Sequence, residues 1–185
     1  MGSSVERLCL GVAEQGKLHA LKGEHREALR HYREALRLGV SCQGSELFFH
    51  HCTQCIMESL ELSGAHGSVA DYCIRAEEHF AQVETEDPLV NRHRGANLER
   101  LALARLQMGD PEEARELLAI AIDTAGRGAL PLSESLLGWL RRGLSISEAR
   151  LRSAQHQHRY FVVRKELVDP SLAVGLPEGV GAPAM

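Results

Sequence analysis

The feature that most constrains this chain is a spacing of small residues that occurs twice. A glycine is followed by alanine after five positions, by a large apolar residue after nine and by a second alanine after twelve. The first copy consists of Gly23, Ala28, Tyr32 and Ala35, and the second of Gly109, Ala114, Leu118 and Ala121. Glycine lets a chain reverse at the C-terminus of a helix, and alanine lets the next helix approach closely. The spacing therefore predicts two antiparallel helical hairpins.

Other residues of the two copies fit the same helix–turn–helix plan. Gly16 and Ala102 hold a small position in the first helix of each copy, and Asp110-Pro111 is typical of a helix start. The pattern resembles the tetratricopeptide repeat, a family whose helix pairs stack into a superhelix. The usual first-helix tryptophan and tyrosine are replaced by Val12 and His19 in one copy and by Leu98 and Arg105 in the other.

The resemblance implies a middle unit between the two copies. Residues 45–64, "SELFFHHCTQCIMESLELSG", indicate its first helix, and residues 68–83, "SVADYCIRAEEHFAQV", its second. Because Ala28 and Ala114 lie 86 residues apart, two steps of about 43 residues fit better than two of about 34. We therefore expect an all-α fold, an antiparallel helix-pair solenoid like the tetratricopeptide superhelix, in one domain over residues 5–167. Its units are expected at residues 8–40, 45–84 and 93–126, with an atypical capping helix pair at 132–167.

The C-terminal part of the chain departs from the repeat pattern. Ser133 is the predicted N-cap of one helix, and a second helix is predicted from about 147 to 167. Asp169-Pro170 should end the helices. Residues 168–185, which are rich in Gly and Pro, are expected to be flexible or to bind in an extended form. The sequence leaves open whether this tail occupies the binding groove itself.

Composition and charge narrow the class of protein. The net charge is −4 and no basic stripe stands out, so nucleic acid is an unlikely partner. The chain lacks an apolar run of about 18 residues, so no membrane partner is expected. Five cysteines without framework spacing favour a reduced, cytoplasmic protein. Phosphate-binding loops, nucleophile turns and zinc-protease motifs are absent from the sequence, so we expect neither catalysis nor a cofactor.

One cluster of soft ligands supports an alternative function. The stretch "FFHHCTQC" places His51, Cys52 and Cys55 on one helix. Cys52 should be deeply buried and act as a small apolar residue. A metal site would need a third ligand from Cys73, His19, His79 or His93. The main prediction is therefore no metal, with a metal- or thiol-dependent regulatory protein as the alternative.

The resemblance to the tetratricopeptide family also implies a binding surface. In that family the first helix of each unit lines a concave groove that binds a partner peptide or helix. We therefore expect a non-catalytic scaffold or adaptor in assembly or signalling, with Glu14 among its wall residues. The groove residues expected from the register are Lys17, Leu21, His51, Gln54, Glu58, Glu99, Arg100, Leu103 and Gln107. A further alternative is homodimerisation through the C-terminal helices.

Overall fold

The computed structural model describes residues 4–82 and 87–176, and this part of the chain is all α-helical. The prediction of an all-α fold is confirmed, since the described residues contain eight α-helices, two short 3-10 helices and no strand. The α-helices are α1 (Ser4–Leu21), α2 (His25–Ser41), α3 (Glu46–Leu62), α4 (His66–Phe80), α5 (Pro88–Gln107), α6 (Pro111–Ala125), α7 (Pro131–Arg141) and α8 (Glu148–Gln157). The 3-10 helices are Lys165–Leu167 and Pro170–Leu172.

Side-chain caps and prolines explain where several helices begin. Ser45, Asp87, Asp110 and Ser147 each accept a hydrogen bond from a backbone amide in the first turn of the helix that follows. Such caps satisfy amides that have no partner within the helix. The predicted start of α6 at Asp110-Pro111 is confirmed.

Glycines in a left-handed conformation end the first helix of each predicted pair. The φ angles of Gly23, Gly64 and Gly109 are 78°, 81° and 88°, a region that side chains other than glycine rarely adopt. The residues five, nine and twelve positions after Gly23 and Gly109 have at most 1% of their surface exposed. The repeated spacing of glycine and alanine thus marks the buried stripe of α2 and of α6.

The predicted middle unit, residues 45–84, also has part of the spacing that follows Gly23 and Gly109. Counted from Gly64, Val69 and Cys73 hold the fifth and ninth positions, and both are fully buried. Valine and cysteine therefore occupy the buried positions that alanine and a large apolar residue occupy in the other two copies. The predicted end of this unit, residue 84, lies outside the described residues.

The described residues form two compact units. The first unit combines residues 4–63 with residues 161–176. Within it, α1 packs on α2 and α2 on α3. Gly16 is essential to the first contact, because a β-carbon there would lie 2.7 Å from Cε1 of Tyr32. Its core contains Val12, Ala35 and Cys52 in one cluster.

The second unit comprises residues 64–82 and 87–160. In it α4 packs on α5, α5 on α6 and α6 on α7. The largest buried cluster joins α5 to α7 and α8. Its members are Ala102, Leu103, Leu118, Leu132, Leu136, Leu137, Leu151 and Ala154.

The C-terminal part of the chain differs from the prediction. Helix α8 ends at Gln157, so the prediction of a helix to residue 167 is wrong for its second half. The backbone of Arg159 is left-handed, with a φ of 52°. Beyond it the chain forms the two short 3-10 helices, and the residues that flank them, Arg164, Val168, Asp169 and Ala173, have extended backbone. Residues 168–176, expected to be flexible, lie against α1. The remainder of the predicted tail, residues 177–185, lies outside the described residues.

The predicted N-cap at Ser133 is also wrong. Helix α7 begins at Pro131, and its N-cap residue is Leu130. Ser133 is instead fully buried inside the first turn. Its hydroxyl and amide meet a carboxylate from α5, as described below. Across the described residues, no helix has the length and apolarity needed to cross a bilayer.

Two glycines of the second unit provide a matched test of helix packing. A β-carbon at Gly95 would lie 2.6 Å from Cβ of Ala125 and 2.9 Å from the carbonyl oxygen of Ala121, whereas one at Gly138 would meet nothing within 4 Å. We expect Gly95→Ala to lower the free energy of unfolding by about 1–3 kcal/mol through overpacking. Gly138→Ala should raise it by about 0.5–1 kcal/mol, because alanine favours the helix. Urea unfolding followed by circular dichroism measures both, and equal effects would contradict the packing of α5 on α6.

Candidate functional site

Helices α1 and α3 of the first unit bring polar side chains together on one face. On α1, Oε2 of Glu14 and Nζ of Lys17 are 2.9 Å apart, as expected for residues three positions apart on a helix. On α3, Nε2 of His51 lies 3.6 Å from Sγ of Cys55. Burial lowers the pKa of His51, and the nearby charge of Lys17 lowers it further. We call Gly11, Glu14, Lys17, His51 and Glu58 the α1–α3 face.

Glu58 holds the chain's own C-terminal segment, residues 161–176. Its Oε2 atom accepts hydrogen bonds from the backbone amide of Val162 at 2.7 Å and from that of Val163 at 3.1 Å. The side chain is buried, with 4% of the residue exposed. Hydrogen bonds from amides to a charged carboxylate are about twice as strong as those between neutral groups. Two adjacent amides of the segment are therefore fixed by one buried oxygen.

Glu14 repeats this arrangement on α1. Its Oε1 atom accepts a hydrogen bond of 2.6 Å from the backbone amide of Asp169, while its other oxygen pairs with Lys17. Glu14 is itself largely buried, with 8% of the residue exposed. Lys17 compensates the charge that Glu14 brings into this partly dry environment. The amides that donate to the two glutamates thus lie at most seven residues apart in the segment.

Gly11 provides a third attachment point further along α1. Its carbonyl oxygen accepts a hydrogen bond of 2.9 Å from the amide of Val174. A β-carbon at Gly11 would lie 2.6 Å from Cγ2 of Val174 and 2.7 Å from the carbonyl oxygen of Leu172. Only glycine lets the segment approach the helix this closely.

Apolar side chains of the segment fill the space between these polar anchors. Val163 is buried in a cluster with Ala28, Tyr32 and Cys55, and Val168 packs against the same cluster. Leu176 packs against the neighbouring cluster that contains Cys52. The face therefore holds this segment in two ways: carboxylates accept hydrogen bonds from its main chain, and apolar clusters cover its side chains.

The structure places the predicted groove residues of the first unit in different environments. Lys17, His51 and Gln54 are half-buried, Glu58 is buried beneath the C-terminal segment, and Leu21 is exposed. Gly11 was not among the predicted residues, and the segment was predicted as a helix to residue 167 followed by a tail, 168–185, that is flexible or binds in an extended form. A signal existed in Val162, Val163 and Val168, since β-branched residues favour extended backbone. The expectation of a continuing helix hid it.

The predicted groove residues of the second unit are mostly engaged within that unit. Oε2 of Glu99 accepts hydrogen bonds from the amide of Ser133 at 3.0 Å and from its hydroxyl at 2.5 Å. This carboxylate lies at the N-terminus of α7, where the helix dipole favours negative charge. Glu99 therefore joins α5 to α7.

The other three predicted groove residues of the second unit are Arg100, Leu103 and Gln107. The guanidinium of Arg100 lies 5.6 Å from the ring centre of Tyr160, and its Nε donates to the hydroxyl of Tyr160 at 3.3 Å. Leu103 is part of the buried core, and Gln107 is half-exposed near the end of α5. Glu99, Arg100 and Leu103 are all buried, which leaves them little surface to offer a partner.

The soft-ligand cluster does not form a metal site in the described residues. No group of three His, Cys, Asp or Glu side chains there could hold a metal ion. Burial raises the pKa of both the Cys52 and Cys55 thiols to about 12, although Lys17 opposes the shift. A thiol of that pKa is almost entirely protonated at neutral pH and is a poor nucleophile or ligand. As expected, Cys52 fills a core position.

Comparison with known proteins adds no assignment. No protein-family model matches the chain, and no curated protein or solved structure is significantly similar to it. The resemblance to the tetratricopeptide repeat therefore rests on the residues of this chain alone.

Thiol labelling tests the alternative reading of the cysteine cluster. At pH 8 a pKa of about 12 leaves roughly one thiol in 10⁴ ionised. We expect iodoacetamide to modify half-buried Cys42 in the folded protein, and Cys52 and Cys55 only after unfolding. Mass spectrometry of the digested protein gives the rate at each position. Labelling of Cys52 or Cys55 as fast as that of Cys42 would favour the thiol-dependent alternative.

Proposed function

We propose that the protein is a non-catalytic interaction scaffold that binds an extended segment of a partner protein on the α1–α3 face. The observation that carries the proposal is the set of hydrogen bonds that Glu14 and Glu58 accept from backbone amides. A carboxylate that accepts from main-chain amides can bind any segment with free amides at the same places, because these hydrogen bonds do not involve the segment's side chains. The same face therefore suits a segment from another protein.

The chemistry of the face defines the partner. Positions that meet Glu14 and Glu58 must carry a free amide, so proline is excluded there. The apolar cluster of Ala28, Tyr32 and Cys55, in which Val163 is buried, suits an aliphatic side chain. The partner is thus an extended, aliphatic segment rather than an acidic tail or a nucleic acid.

The tetratricopeptide-like arrangement of the helix pairs is part of the proposal. It is supported by the left-handed glycines after α1 and α5 and by the buried stripes of α2 and α6. In that family the first helices of the pairs bind the ligand, and the α1–α3 face lies on predicted first helices. We propose that the scaffold acts in the cytoplasm, where its five free thiols stay reduced.

A selection from random peptides tests this function. Displayed peptides of about 16 residues are selected on the immobilised full chain, and the winners are measured in solution by titration. We expect enrichment of aliphatic, proline-poor segments. Their affinities are compared in a chain carrying Val163→Asp with Val168→Asp, because Glu58 also holds the chain's own C-terminal segment and its loss would otherwise weaken that segment and the added peptide alike. In that chain Glu58→Ala should lower the affinity at least about tenfold, since a buried amide–carboxylate pair contributes roughly 1.5–3 kcal/mol. Glu46→Ala, an exposed carboxylate on the same helix, is the control and should change nothing.

A second variant guards against loss of folding in Glu58→Ala. Gly11→Ala blocks the close approach to α1 and also favours the helix. Its control is Gly67→Ala, where a β-carbon meets nothing within 4 Å. Peptides that bind all four variants with the affinity of the Val163→Asp/Val168→Asp chain in which they are made would show that the α1–α3 face is not the binding site.

A further inference from the structure

The C-terminal segment occupies the face that the proposed function assigns to a partner. The hydrogen bonds that attach it, at Val162, Val163, Asp169 and Val174, all use its backbone amides. An attachment through the main chain is transferable, because a different extended segment offers the same donors. The segment thus has the form of a bound ligand that happens to be covalently joined to its receptor.

The fit of the segment is incomplete, which favours exchange. The large side chains of Leu167 and Leu172 are more than half exposed, and that of Val174 is also exposed. Nε of Arg164 is buried and makes no hydrogen bond within the described residues, although the carboxylate of Glu166 lies 3.8 Å from it. A buried donor that makes no hydrogen bond weakens the attachment of the segment to the face. A segment without this defect would bind the same face better.

The face itself favours an occupant over an open state. Glu14 and Glu58 are largely buried carboxylates, and Val12, Cys52 and Cys55 lie in the apolar clusters that the segment helps to cover. Removal of the segment would expose this apolar surface and leave the carboxylates with fewer donors. Exchange of one extended segment for another avoids both costs.

We propose that residues 161–176 are an intramolecular occupant that a partner's extended aliphatic segment displaces, so that the C-terminus regulates access to the α1–α3 face. This inference rests on the proposed function. The apparent dissociation constant for a partner equals the intrinsic one divided by the fraction of molecules in which the face is open. Weaker attachment of the segment therefore strengthens partner binding.

The test compares variants in which only the segment is changed. Val163→Asp with Val168→Asp places charges in the apolar cluster and leaves every residue of α1 and α3 intact. Leu167→Asp, at an exposed position between them, is the matched control. The probe is a fluorescein-labelled peptide with the sequence of residues 160–176, whose binding to the full chain is followed by fluorescence anisotropy. A peptide carrying the two aspartates reports non-specific binding.

We expect the double variant to bind the probe at least about tenfold more tightly than the natural chain, corresponding to a tenfold larger open fraction. Leu167→Asp should bind it like the natural chain. Equal affinity for all three proteins would overturn the inference and leave the proposed function standing. Binding to none of them would overturn both, since the face would then not accept a separate segment.

Circular dichroism establishes that the double variant keeps its helices. If the double variant loses its helices, it is replaced by Val163→Thr with Val168→Thr, since threonine has the shape of valine. The expected gain in affinity for the probe is then about threefold. Equal affinity of the natural chain and the threonine variant would then overturn the inference in the same way.

Discussion

The buried carboxylate of Glu58 accepts hydrogen bonds from the backbone amides of Val162 and Val163, and the organisation of the first unit depends on this interaction. A charge removed from water is costly unless it is paired or hydrogen-bonded. Glu14 faces the same requirement on α1 and meets it with Lys17 and the amide of Asp169. The C-terminal segment meets this requirement for both helices, since its amides donate to both carboxylates.

The small residues of the sequence are what bring this face together. Gly16 admits the ring of Tyr32 between α1 and α2, and Gly39 admits the ring of Phe48 between α2 and α3. Since α2 contacts both neighbours, these two positions fix α1 and α3 beside each other. Gly11 then leaves room for the segment itself. Packing, rather than any local signal, thus creates the binding geometry.

The helices could be predicted from sequence because their determinants are local. Left-handed glycines, caps such as Asp110 and alanines at fixed spacing all act within one or two turns of a helix. The burial of Cys52 followed in the same way from its place between two apolar stripes. The N-cap predicted at Ser133 was wrong, because a serine before a helical run is equally suited to a buried hydrogen bond with Glu99 from another helix.

The site itself depends on residues far apart in the chain. Glu58 and Val162 are separated by 104 residues, and Glu14 and Asp169 by 155. Helical periodicity carries no information about such pairs, so Glu58 could be predicted as a groove residue but its occupant could not. The run around Val163 has apolar spacing compatible with a helix as well as β-branched residues that favour extended backbone, so its local sequence does not decide between the two.

Amide hydrogen exchange, resolved by NMR for each residue of the C-terminal segment, tests the central claim most directly. Hydrogen-bonded amides exchange only when their structure opens. The account predicts slow exchange at Val162, Val163, Asp169 and Val174 in the natural chain, and fast exchange at these four amides when a saturating aliphatic peptide displaces the segment. Fast exchange at all four in the free protein would contradict the claim that the α1–α3 face holds an extended polypeptide through its backbone.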